Sequence, residues 1–203
     1  MATRRSTARR AGTSRLAPLT HIQLQLRIEL KGVKPAIWRC ILVPETVTLS
    51  KLHGILQCTM GWSDSHLHEY EIARRRYGTP DEDWHDPEPL LDERRVRLKS
   101  QVDAGVRKFH YLYDFGDHWE HTITIEAQTM RREGAPAVFC VAGENACPPD
   151  DVGGIHGYAE FLKVIADPNH EEHEHMVQWA GGSFNPRAFD LDRINAYLHS
   201  IKS

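Results

Sequence analysis

Between residues 111 and 121 the chain places carboxylates and imidazoles at a spacing that suits cation binding or proton transfer: Asp114, Asp117, His118, Glu120 and His121. A second polar run follows, Cys147-Pro148-Pro149-Asp150-Asp151-Val152-Gly153-Gly154. Asp117, Glu120, His121 and Asp151 make the first candidate metal set, since carboxylate oxygens favour magnesium, calcium or manganese and imidazole shifts preference toward zinc, iron or manganese. His66-Leu67-His68 would put two more imidazoles on one strand face, and Cys147 adds a thiol, as a less favoured ligand set. Each group has a plainer alternative. Asp114 and Asp117 can accept backbone N–H bonds within a turn, Asp150-Asp151 can cap the following helix, and His66 and His68 can be hydrogen-bonded core. The run His170-Glu171-Glu172-His173-Glu174-His175 lacks the His-Glu-x-x-His order of zinc proteases and reads as a solvated helix face. Ser63, Ser65 and Cys58 have no Gly-x-Ser-x-Gly elbow to activate them.

These groups need a scaffold, and the apolar pattern supplies one. Ile22, Leu24, Leu26, Ile28 and Leu30 alternate with polar residues, as a strand with one buried face must. Ile37 to Val43 continues as a second strand, stopped by Pro44. Thr48 then caps a helix with Leu49, Leu52, Ile55, Leu56 and Met60 at helical spacing, ended by Gly61. A strand is expected over 66–77, an exposed loop over 78–89 and a further strand over 96–102. Phe109 to Tyr113 and Trp119 to Met130 predict an antiparallel pair whose turn carries the acids. Helices follow over about 158–165 and 170–180, and a last one is expected to start at Asn185-Pro186. Strands first and helices last predict an α+β fold, a mainly antiparallel sheet of about five or six strands with one early helix and a C-terminal group of helices.

At 203 residues the chain fits one domain, expected over 20–203, behind a disordered basic tail at 1–19. The tail holds Arg4, Arg5, Arg9, Arg10 and Arg15 without an apolar segment, so it is no secretory signal. No apolar stretch approaches the roughly 20 residues that span a bilayer, which argues against a membrane protein. The four cysteines form no Cys-x-x-Cys pair and are expected to stay reduced, pointing to the cytoplasm. A net charge of −3 argues against a dedicated nucleic-acid face. Arg74, Arg75 and Arg76, with Arg94, Arg95 and Arg97, are the remaining candidates for phosphate contact.

Tyr113-Asp114-Phe115-Gly116-Asp117-His118-Trp119-Glu120-His121, the 147–154 run, Gly157-Tyr158, Asp167-Pro168-Asn169-His170 and Phe184-Asn185-Pro186 together resemble the plasmid pRiA4b ORF-3-like family. The resemblance runs in order from about His21, through Pro35-Ala36-Ile37-Trp38-Arg39 and Gly61-Trp62, to about Leu198. It implies a single α+β domain associated with plasmids and insertion sequences, some members carrying labels such as transposon passenger or resolvase-like protein. His118 departs from the family's usual Asp-Phe-Gly-Asp-Asp-Trp-Glu-His turn, and Asp150-Asp151 stands where Pro-Pro-Glu-Asp is usual. The functional expectation is an accessory or binding protein with a polar pocket at the hairpin end. The alternatives are a metal-dependent hydrolase or nuclease using a divalent cation, and a DNA-binding accessory protein whose partner is a nucleic acid or a mobile-element protein.

Overall fold

The computed structural model describes residues 19–80 and 90–200, so the basic tail and most of the 78–89 loop lie outside the described residues. Its strands are β1 (Leu19–Leu30), β2 (Trp38–Pro44), β3 (His68–Ile72), β4 (Arg75–Gly78), β5 (Leu91–Asp92), β6 (Lys108–Tyr113), β7 (Trp119–Arg132) and β8 (Phe139–Glu144). The helices are α1 (Leu49–Met60), α2 (Leu98–Asp103), α3 (Gly154–Ala166), α4 (His173–Trp179) and α5 (Leu191–Ser200). The fold is α+β with an eight-stranded sheet in the order β5-β4-β3-β6-β7-β1-β2-β8. Among the described residues only β4 and β5 pair in parallel, which makes the sheet mixed.

The period-2 pattern decides which face is buried. Leu24, Leu26, Ile28, Phe109, Tyr111, Tyr113, Trp119 and Ile123 are almost fully buried, while the intervening Gln25, Arg27, Glu29, His110, Glu120 and Thr122 stay half-exposed on the other face. α1 lies on the buried face, and Leu98 of α2, Tyr158 and Phe161 of α3 and Leu198 of α5 join the same apolar cluster. The expected caps of α1 are present: Thr48 Oγ1 accepts from Lys51 N, and Gly61 ends the helix at φ 91°.

Several elements differ from the sequence expectation. The sheet has eight strands, not five or six, partly because the 66–77 segment folds back on itself: Ala73 and Arg74 both take left-handed backbone (φ 51° and 63°) and reverse the chain between β3 and β4. The strand expected over 96–102 is instead α2, as Leu98 and Val102 are four apart and only Leu98 is buried. Arg97 retains a single bridge to Thr48. Asn185-Pro186 does not open the last helix, because Asn185 Oδ1 accepts from Arg187 N in a local turn. α5 starts later, where Asp190 Oδ1 accepts from Arg193 N at 2.9 Å.

Candidate functional site

Three segments meet at the end of the sheet where β6 turns into β7: residues 62–66 after α1, the turn at 114–118, and the loop at 147–154. Trp62 anchors the first to the third by donating from Nε1 to Pro148 O at 2.9 Å, and its ring stacks on Tyr113 at 4.9 Å. The third docks on the second through Gly153 N, which donates to Asp117 Oδ2 at 3.0 Å. Gly154 presses against the same turn so closely that a Cβ there would fall 2.6 Å from Asp117 O.

These contacts bring His66, Asp114 and Asp151 together. His66 Nε2 lies 3.2 Å from Asp151 Oδ1 and 3.7 Å from Asp114 Oδ2, and one ligand atom of each residue falls within 4.8 Å of the others. The imidazole packs edge-on against Tyr113. Its Nε2 is shielded from solvent and makes no hydrogen bond of ordinary geometry. Asp114 is buried, with Oδ1 accepting from Gly116 N at 2.8 Å and Asp117 N at 3.3 Å, which leaves Oδ2 for the site. Asp114 and Asp151 both hold left-handed backbone, φ 58° and 61°. Such conformations persist only where surrounding contacts over-determine them, and they concentrate at ligand sites. Asp150 stands beside this group: its Oδ2 accepts from Ser63 N and Oγ, while its Oδ1 is buried without a hydrogen-bond partner among the described residues.

The other sequence candidates lie elsewhere. Strand alternation sends Glu120 to the open face, where Lys31 Nζ at 2.6 Å and His110 pair with it, Lys31 above all holding its carboxyl below the usual range. His121 faces inward and is fully buried, its Nδ1 3.3 Å from Tyr111 O and its Nε2 without a hydrogen-bond partner among the described residues. Burial pushes its pKa down to about 4. Asp117 is committed to Gly153, and His118 is exposed in the turn at φ 59°. Cys147 lies away from His66, with Sγ 3.4 Å from Arg39 Nη2 and 3.7 Å from Met60 Sδ, and burial raises its thiol to about 11. It lines a cavity of about 550 Å³ between the end of α1 and α5. Of the arginine trio, Arg76 pairs with Glu69 at 2.7 Å, and Arg74 and Arg75 are exposed at the β3–β4 turn. Arg94 and Arg95 both pair with Asp92.

His68 separates from His66 because β3 begins at His68 and turns its ring inward. There it stacks on His53 with centroids 3.4 Å apart and contacts buried Glu93 at 2.8 Å. His53 in turn meets Tyr111 Oη at 2.8 Å and Asp64 Oδ1 at 2.6 Å, while Gln57 Nε2 donates to the same hydroxyl at 3.0 Å. Burial, then His68, lowers the His53 pKa against the pull of Asp64. This buried network was not anticipated from sequence. Its signal was two polar residues, His53 and Gln57, four apart within the buried stripe of α1.

A one-sided sheet closed at one end by an acid-rich turn and a docked Asp-Asp loop is the class of protein that the geometry defines. The family model for the plasmid pRiA4b ORF-3-like protein matches residues 23–193, and the chain belongs to that family. It is 42% identical over 180 residues to the uncharacterized protein y4hQ of Sinorhizobium fredii (strain NBRC 101917 / NGR234), covering 88% of this chain and 91% of that one. The crystal structure of a protein of unknown function, MM3350 from Methanosarcina mazei Go1, superposes with a TM-score of 0.78 at 36% identity, covering 85% of this chain and 97% of that one.

Proposed function

We propose that the protein is a binding module that takes a divalent cation through His66 Nε2, Asp114 Oδ2 and Asp151 Oδ1, and serves as a cytoplasmic accessory protein of the plasmid-associated kind that the family name describes. The observation that carries this reading is the convergence of three ligand atoms from three separate segments within 4.8 Å. Two carboxyl groups and an imidazole converging on one point offer oxygen and nitrogen lone pairs that a dication satisfies together. One nitrogen and two oxygens suit zinc, iron or manganese better than calcium, which prefers six to eight oxygens. Free thiols at all four cysteines accord with a reducing compartment. No described helix is long and apolar enough to cross a membrane.

The hydrolase or nuclease alternative draws on the same residues. Three protein ligands leave coordination positions for water and substrate, and Asp150 Oδ1, buried without a partner, would be the base beside them. Calorimetric titration of chelator-treated protein with zinc or manganese tests the binding reading. The expectation is saturable binding with a rise in unfolding free energy of about 2.7 kcal/mol at a hundredfold excess over Kd. Asp151→Asn and His66→Ala abolish it and Glu120→Gln keeps it; equal binding by wild type and Asp151→Asn rules this site out.

A further inference from the structure

The cavity of about 550 Å³ between the end of α1 and α5 holds a charge that the fold does not balance. Strand alternation in β2 turns Arg39 to the buried face with Ile41 and Val43, and the residue is only 3% exposed. Its five N–H groups are all engaged: Nε with Thr59 O, Nη1 with Trp38 O and Glu144 O, and Nη2 with Asn145 O and the Cys147 thiol. Carbonyl oxygens satisfy donors but bring no net charge. Thr59 O belongs to the last turn of α1, whose dipole supplies roughly half an elementary charge. Among the described residues no carboxylate pairs with Arg39, so about half of a buried positive charge is left without a counter-ion.

The wall around this charge is aromatic and fixed. The Phe189 ring centre lies 4.9 Å from the Arg39 guanidinium carbon, and the ring packs so closely on β8 that a Cβ at Gly143 would fall 2.5 Å from its Cε2. Met60 and Trp62 line the α1 side, with Trp62 held by its bond to Pro148 O, and Ile194 and Tyr197 line the α5 side. Ala146 N donates to Pro186 O at 3.0 Å, which ties the loop of Cys147 to the stretch that leads into α5. A second guanidinium stands on the exposed face of α5: the Arg193 carbon is 5.6 Å from the Tyr197 ring centre, and no described acid pairs with it. Among the described residues Asp190 is the one carboxylate on the lining, and its Oδ1 accepts from Arg193 N. Two guanidiniums against one carboxylate leave the lining net positive.

We propose that this cavity is a binding site for a small organic anion with a flat apolar body, of the aromatic carboxylate class. Ligand sites are cavities of about 300–1,000 Å³ with mostly apolar walls and a few placed polar groups, and they are largely formed before the ligand arrives. The ring is taken up by the wall of Trp62, Phe189 and Tyr197, and the carboxylate turns to the charges of Arg39 and Arg193. There it displaces the Cys147 thiol from Nη2, because a thiol is a weak acceptor and a carboxylate a strong one. An inorganic anion has no apolar surface to bury against this wall, and a neutral ring brings no charge to offset Arg39. None of His66, Asp114 and Asp151 lines the cavity, so the proposal does not rest on the cation site.

The test is calorimetric titration of the full chain with 2-naphthoate, with 2-naphthamide as its neutral counterpart and inorganic phosphate as an anion without a ring. Saturable binding of 2-naphthoate is expected, at least about tenfold tighter than that of the amide and unaffected by millimolar phosphate. Arg193→Glu, at an exposed position, weakens it at least about tenfold, and Ile194→Trp, which fills the cavity from α5, abolishes it, both checked for an unchanged melting temperature. Wild-type protein that does not bind 2-naphthoate, or binds the amide equally well, overturns the proposal without recourse to any variant. Displacement of 2-naphthoate by phosphate overturns it too, as does a folded Ile194→Trp protein that binds like wild type.

Discussion

Gly154 has no room for a side chain because its Cα sits against the backbone carbonyl of Asp117, and this approach holds the loop of Asp151 onto the turn of Asp114. A Cβ would lie 2.6 Å from Asp117 O, and the residue has φ +66°. Both features oppose any L-residue, and the obstacle is backbone that cannot swing aside. Gly154→Ala is therefore expected to cost about 1–3 kcal/mol. It also separates Asp151 from His66. Zinc affinity should drop by at least about tenfold, or about 1.4 kcal/mol, in the calorimetric titration. Unaltered affinity in a folded Gly154→Ala protein would mean that the two turns need not touch for the cation to bind.

At the β8 edge of the sheet, the Asn195 side chain covers the backbone of Cys140. Asn195 Oδ1 accepts from Cys140 N at 2.8 Å and its Nδ2 donates to Cys140 O at 3.0 Å, so the amide imitates a neighbouring strand. Asn195→Leu leaves both backbone groups buried and unmatched, at about 2–4 kcal/mol. For a chain of this length that lowers the melting temperature by roughly 4–16 °C. Edge-to-edge association is the expected accompaniment. Differential scanning calorimetry with light scattering after size exclusion reads both effects; Asn195→Leu melting with wild type would remove this role.

His121 makes stability depend on acidity. Its pKa falls from 6.5 to about 4 on folding because burial disfavours the imidazolium. Between those values the unfolded chain holds the proton and the folded one does not, so stability is full above pH 6.5 and declines as pH falls toward 4. A shift of this size corresponds to about 3 kcal/mol. His53, also lowered, acts in the same direction. His121→Phe, which fills the site without a titrating group, should flatten the slope of urea midpoint against pH between 6.5 and 4. An unchanged slope would assign the acid sensitivity to other residues.

Residues whose local pattern determined their position were legible in the sequence. Alternation gave β1, β6 and β7 with the right face inward, and Thr48 and Gly61 marked the limits of α1. The hairpin at Ala73-Arg74 was hidden because neither residue is a habitual turn former, and β8 because its pairing is with β2, about a hundred residues away in sequence. For the site, types and neighbourhood were readable but membership was not. Asp114 and Asp151 stood among the candidates, and His66 ranked below Glu120 and His121. Strand alternation placed those two on opposite faces, Glu120 among cations and His121 in the core. What joined His66 to the acids was a contact between loops, set by Trp62 and Gly154, and short-range sequence patterns carry no record of such contacts.

On the open face of the sheet Lys31 pairs with Glu120, Gln25 donates to Glu126 and the Arg27 guanidinium lies over the Trp38 ring. A fluorophore, affinity handle or surface tether attached there would leave the His66, Asp114 and Asp151 cluster accessible. That plane is accordingly the natural place from which to immobilise the protein when cation uptake is to be measured.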